Sequence, residues 1–142
     1  MAQNEEATKL SAQEKAALRE RTRELKAAKK GKEAEQAVLD AIAALSDDER
    51  PLAERVHALI REAAPELAPK TWYGMPAYAN KDGKVICFFK AASKFDVRYA
   101  ELGFNEPANL DDGNMWPTAF AVIKLTKAEE KRIIDLVKQA AS

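Results

Sequence analysis

At 142 residues and 15.7 kDa the chain has room for one ordinary domain with a core, and for a second only as a helical appendage. Its 23 basic and 23 acidic side chains cancel, so the broad positive excess of a nucleic-acid domain is missing. One cysteine, Cys87, excludes an internal disulfide framework, and no apolar run is long enough to span a bilayer.

The zero sum hides a partition. Residues 1–32 carry nine Lys/Arg against five Asp/Glu, residues 33–69 three against nine, and the remainder eleven against nine. Residues 1–6 lack the basic start and hydrophobic stretch of a signal peptide, which makes the cytoplasm the expected compartment.

Ser11 with Glu14 three residues on predicts a helix start, and residues 12–30 contain neither Gly nor Pro. The apolar side of this helix is thin, with Leu18, Leu25 and Ala28, so it is expected to dock loosely or to project. The run Lys26, Lys29, Lys30 and Lys32 is expected near the helix end, where cations suit the dipole. Gly31 predicts a break, giving residues 1–32 as a basic helical extension and residues 33–142 as a single α+β domain.

Ala37, Val38, Ala41, Ile42 and Leu45 then recur at helical spacing. Ser46 with Glu49 resembles a capping box, and Pro51 sits where a missing N–H costs little. Leu52, Val56, Leu59, Ile60 and Ala63 form the buried stripe of the next helix, which Pro65 and Pro69 stop. His57 lies beside that stripe as a boundary residue, with no ligand-spaced partner.

After Pro69 the pattern turns extended. Trp72, Tyr73, Gly74, Met75, Pro76 and Tyr78 predict a short segment with a turn or bulge near Gly74, Met75 and Pro76, and Pro76 is expected to hold it at a sheet edge. Asn80, Lys81, Asp82 and Gly83 make a turn into an apolar strand over residues 84–89, whose Cys87 reads as a buried thiol. Residues 94–99 alternate, predicting a strand with Phe95, Val97 and Tyr99 inward. Residues 101–116, broken by Gly103, Pro107 and Gly113, read as a long irregular connection, residues 119–125 as a strand, and Thr126 with Glu129 as the capped start of a closing helix carrying Ile133, Ile134, Val137 and Ala140. The fold class that follows is α+β: a small antiparallel sheet of three to five strands covered by helices, with an extra amino-terminal helix.

Bulky side chains beside irregular backbone mark the expected ligand site. Trp72, Tyr73, Met75, Tyr78 and Trp116 are expected to line a groove for a small molecule or a protein partner, with Lys90 and Arg98, helped by Lys70 and Lys94, meeting an anionic group. The competing account is that these aromatics seal the end of the sheet. No nucleophile elbow, phosphate-binding glycine loop or histidine pair is present, so no catalytic residue is assigned; a carboxylate-based site is the remaining enzymatic option. No cofactor is expected from the residues themselves. Nucleic acid and membrane are not expected partners, and the chain is expected to be a monomer or homodimer.

The order Arg50-Pro51-Leu52, the helix through Val56 and His57, the run Trp72-Tyr73-Gly74-Met75-Pro76-Ala77-Tyr78 and the strand over residues 84–89 resemble the bacterial domain-of-unknown-function 1801, or YdhG-like, family. The resemblance covers about residues 35–140. It implies a compact α+β domain, and some relatives of that family are described as iron-chaperone-like through fold similarity to frataxin. On this chain an acidic iron surface falls to Asp47, Asp48 and Glu49 or to Asp111 and Asp112.

Overall fold

Ser11 opens the first helix. In the computed structural model, which describes residues 11–142, its Oγ accepts the N–H of Glu14 at 3.1 Å and its carbonyl accepts the N–H of Lys15 at 3.0 Å. The expectations for residues 1–6 lie outside the described residues. Helix α1 then runs Ala12–Ala43 without interruption. Gly31, expected to break it, lies inside. A glycine in a helix interior costs about 1 kcal/mol relative to alanine, and the strong helix formers on both sides outweigh that.

The chain divides into two compact units, Met1–Glu33 and Ala34–Ser142. In the first, every described residue is exposed, Leu18 and Leu25 included. The second holds the core. Val38 and Ile42 from α1 are buried with Ala53, Val56, Leu59 and Ile60 of α2 (Arg50–Ala63) and with Ile133, Val137 and Ala140 of α3 (Lys127–Ala141). These are the three-and-four-spaced positions, so each helix buries the stripe its sequence offers. Arg55 Nε on α2 donates to Glu130 Oε1 on α3 at 3.1 Å and ties the two helices at their rim.

The two inner capping boxes form differently from the expectation. Glu49 does not return to Ser46; its Oε1 accepts the N–H of Ser93 at 3.0 Å, fastening the start of α2 to the connection after the third strand. Thr126 and Glu129 do meet, through a hydrogen bond from the Thr126 hydroxyl to the Glu129 carboxylate, which holds that carboxyl below its usual range.

Five strands, β1 (Ala68–Trp72), β2 (Met75–Ala79), β3 (Val85–Lys90), β4 (Ala100–Phe104) and β5 (Ala119–Val122), pair in chain order as an antiparallel meander. The β2–β3 turn forms where expected: Asn80 Oδ1 accepts the N–H groups of Asp82 and Lys84, both at 3.0 Å, an Asx turn closed by Gly83. Pro76 does not hold β2 at an edge, since β2 lies between β1 and β3. It stands opposite Thr71, one pair beyond the pair that closes the β1–β2 hairpin, a position that exchanges no hydrogen bonds with β1; the ladder to β3 starts only at Ala77 opposite Phe88.

The strand expected over residues 94–99 is absent. Ser93–Phe95 is a 3-10 turn, and Asp96, one of the residue types that tolerates the left-handed region, follows at φ 52° and ends it. The strand lies one step later, Ala100–Phe104, and all of it but Ala100 falls in the segment read as irregular. Its Gly103 reads as a breaker, yet it serves a neighbouring ring, described below. The rest of the long connection is pinned by Ala108 and Leu110 in the core and by the N–H of Asn109, which bonds the carbonyl of Ala140 at 3.0 Å.

The register sorts the side chains. Tyr78, Cys87, Phe89, Leu102 and Phe104 share a cluster with the helices. A bulge between Tyr78 and Ala79 on β2 and Val85 to Cys87 on β3 inserts one residue, and Ile86 joins Cys87 in that cluster. Met75, Ala77, Ala79 and Val85 are buried outside it. By register they belong to the opposite sheet face, away from the cluster that the helices join.

Candidate functional site

The helix-free face carries two cross-strand rows. Lys70, Ala77, Phe88, Gly103 and Ala119 face one another across all five strands, and beside them lie Trp72 opposite Met75, and Lys90 opposite Glu101 and Ala121. Ala77, Gly103 and Ala119 make the first row mostly small, whereas Ala121 is the one small residue of the second. The large rings stand up from this floor as one group: Trp72 packs on Phe88 with ring centroids 5.2 Å apart, and Tyr73 meets Trp72 edge-on at 4.9 Å. The Phe88 ring lies directly over Gly103, where an added Cβ would stand 2.1 Å from Cζ. Gly103 is therefore the seat of that ring, which is why a glycine occupies a strand interior.

Tyr73 and Gly74 form the whole β1–β2 loop. Both have positive φ, 50° and 74°, the signature of a type I′ hairpin, and Lys94 Nζ donates to the Gly74 carbonyl at 2.7 Å. The first loop position ordinarily holds Gly, which has no Cβ to strain, or Asn or Asp, whose short polar side chains offset the strain by local hydrogen bonds. Tyr73 holds it while 79% exposed. A strained conformation thus presents a bulky amphipathic ring to solvent.

The expected groove does not close. Trp72, Lys90 and the buried Met75 share one face by register, and Tyr73 in the hairpin loop joins them through Trp72. Tyr78 lies on the other face, fully buried, because the side-chain period of two sends it opposite to Ala77. Arg98 is exposed in the connection before β4 and stacks on Tyr99 at 5.0 Å, while Lys90 stands 5.3 Å from the Phe95 ring. Trp116 packs half-buried against the core and lines a cavity of about 470 Å³ with Phe104, Leu110 and Asp111. Phe88 was missed as a site residue, since the uniformly apolar run over residues 84–89 reads as core on both faces. The signal that would have found it is the glycine paired across from it.

Inside the domain, Tyr78 and His57 form one unit. The buried phenol shares a 2.7 Å hydrogen bond with His57 Nδ1. Burial, aided by the nearby Arg61 charge, holds the His57 pKa down, with Glu35 pulling the other way, and burial pushes the Tyr78 phenol up. A neutral imidazole with Nδ1 unprotonated gives the phenol O–H its acceptor. Burial likewise pushes the Cys87 thiol up to about 12, so at neutral pH it is a protonated packing group.

A second concavity, about 310 Å³, lies between the edge strand β5 and α3, floored by Leu102, Phe120 and Ile133 with Arg132 at its side. Among the described residues no group of three or more His, Cys, Asp or Glu side chains is placed to hold a metal ion. Of the acidic candidates, Asp47 pairs with Arg50 at 3.0 Å, Glu49 is bonded to Ser93, and Asp111 and Asp112 are exposed without a third donor. No helix among the described residues is long and apolar enough to cross a membrane. No protein-family model, curated protein or solved structure matches this chain.

Proposed function

We propose that the protein is a binding domain whose helix-free sheet face receives a protein partner through the Trp72, Tyr73 and Phe88 patch. The observation that carries this reading is Tyr73, an exposed aromatic held at positive φ on a hairpin tip where Asn would be less strained. Strain kept at a position this exposed is a pointer to use. Tyr and Trp are also the side chains most often found as interface anchors. The face bears raised rings beside a row of mostly small residues, and the cavities of about 310 and 470 Å³ lie elsewhere. Small molecules favour concave sites, so this shape suits a protein surface better. Lys90 and Lys94 beside the patch would favour a partner with acidic residues around an apolar centre. The reading takes the protein to act in the cytoplasm, where a lone thiol such as Cys87 stays reduced. The resemblance to the YdhG-like family is part of the same proposal, supported by α2, the β1–β2 hairpin and β3, which carry the resembling residues.

The test is affinity capture with the wild-type chain and with a Trp72→Ala/Tyr73→Ala variant, followed by titration of the purified interactor and chemical-shift mapping. The double variant is expected to weaken binding by about 30-fold or more, the effect of losing a hot spot of about 2 kcal/mol. Shifts confined to another surface, or unchanged affinity in the variant, would sink the proposal.

A further inference from the structure

The first unit presents a charge pattern that the continuity of α1 creates. Lys15, Arg19, Arg23, Lys26 and Lys30 follow one another at intervals of four, four, three and four, so on an uninterrupted helix they share one face. The stripe is about 22 Å long at 1.5 Å rise per residue. Every residue on it is exposed. Glu20 and Glu24, which interrupt the basic run in sequence, stand one position beyond Arg19 and Arg23 and so lie about 100° around the helix. Only Glu20 reaches back, to Arg23 Nη1 at 3.4 Å, and Arg23 remains 74% exposed. The helix dipole does not account for these cations. Because α1 continues to Ala43, Lys26, Lys29, Lys30 and Lys32 lie in its interior and its last turn has no basic residue.

We infer that this stripe is a phosphate-backbone contact for duplex nucleic acid, independent of base sequence. The formal charge of the whole chain, which argues against such a partner, averages over a local excess of the kind a polyanion meets first. A linear row of long cationic side chains matches a linear row of phosphates, of which a duplex offers one per about 1.7 Å of its axis. An anionic membrane surface is less well matched. An interfacial helix needs a broad apolar face, and here only Leu18 and Leu25 flank the stripe. A folded acidic protein is less well matched too, since the stripe lacks an apolar or aromatic anchor.

The experiment is fluorescence anisotropy of a labelled mixed-sequence DNA duplex titrated with the full chain, from about 50 to about 200 mM salt, a range over which phosphate contacts weaken strongly. Engagement of three to five phosphates is expected to give a log–log salt slope of about −3 to −4.5. Arg19→Gln/Lys26→Gln on the stripe is expected to raise Kd by about tenfold or more and to flatten the slope by about 2, the share of two phosphate contacts. Arg21→Gln/Lys32→Gln removes the same charge from the other side of the helix and is expected to change Kd by less than about threefold, since it leaves the contacts in place. Far-UV circular dichroism checks that both variants keep the helix, and a stripe variant that loses it is replaced by Arg19→Lys/Arg23→Gln, which removes one charge and is expected to flatten the slope by about 1. No binding at the lowest salt, equal losses in the two variant pairs, or equal or tighter binding to phosphatidylserine vesicles or polyglutamate would each overturn the proposal.

Discussion

Phe88 and Phe89 are neighbours of the same residue type on one strand, and the sheet gives them opposite work. Phe89 is 2% exposed and packs among the helices, whereas Phe88 is half-buried on the helix-free face, seated on Gly103 and leaning on Trp72. One side of the sheet stores the stability of the domain. The other displays Trp72 and Phe88 at partial exposure, where truncation is expected to cost the fold less, as the proposed recognition surface requires.

The sharpest way to break this comparison is to truncate both rings. Phe89→Ala is expected to cost about 3–5 kcal/mol, the range for a fully enclosed aromatic, and Phe88→Ala about 2 kcal/mol, because part of its ring stays in contact with water. Urea unfolding of the two variants reads the difference, and equal losses would mean that the second face is core as well.

Next in size is Gly103→Ala. Its new methyl must displace the Phe88 ring, at an overpacking cost of about 1–3 kcal/mol. Gly103 does not occupy a positive-φ region, so the effect is steric and should largely vanish in a Phe88→Ala background. Additive losses would show that the ring does not rest on the glycine.

On the enclosed side, Tyr78→Phe leaves the packing in place and removes the hydroxyl bonded to His57, for about 1–2 kcal/mol. The same pair sets a pH dependence. The folded-state pKa of His57 lies below its ordinary 6.5, so between the two values the unfolded chain binds more protons. Stability from this group is therefore fully present above 6.5 and falls as pH drops through the window beneath it. His57→Gln should flatten that part of the pH–stability curve relative to the wild type; identical curves for the two proteins would remove His57 as its source.

The smallest effect carries the opposite sign. Tyr73→Asn relieves the left-handed position and is expected to stabilise the fold by about 0.5–1 kcal/mol, part of the cost of placing an ordinary side chain there, while weakening the partner. A variant that is both more stable and fully competent in binding would separate the strain from the function.

Local physics made much of this chain legible. The helical stripes, Ser11 as a cap, Pro51 in a first turn, the Asn80 turn and the α+β class each rest on contacts within a few residues, so spacing and residue type were enough to find them. Where a local signal misled, a distant partner was responsible. Gly103 reads as a breaker because the ring above it comes from another strand, and Glu49 reads as a capping partner because Ser93 is far along the chain.

The candidate site shows the same division. Sequence alone picked out Trp72 and Tyr73 as exceptional and grouped Tyr78 with them. Only tertiary structure could separate the three, since the face a strand residue takes depends on register, and here the hairpin loop and one bulged residue set that register. Continuity through Gly31 is a decision of the same kind on α1: the residues specify the charges, and an unbroken helix aligns five of them on one side.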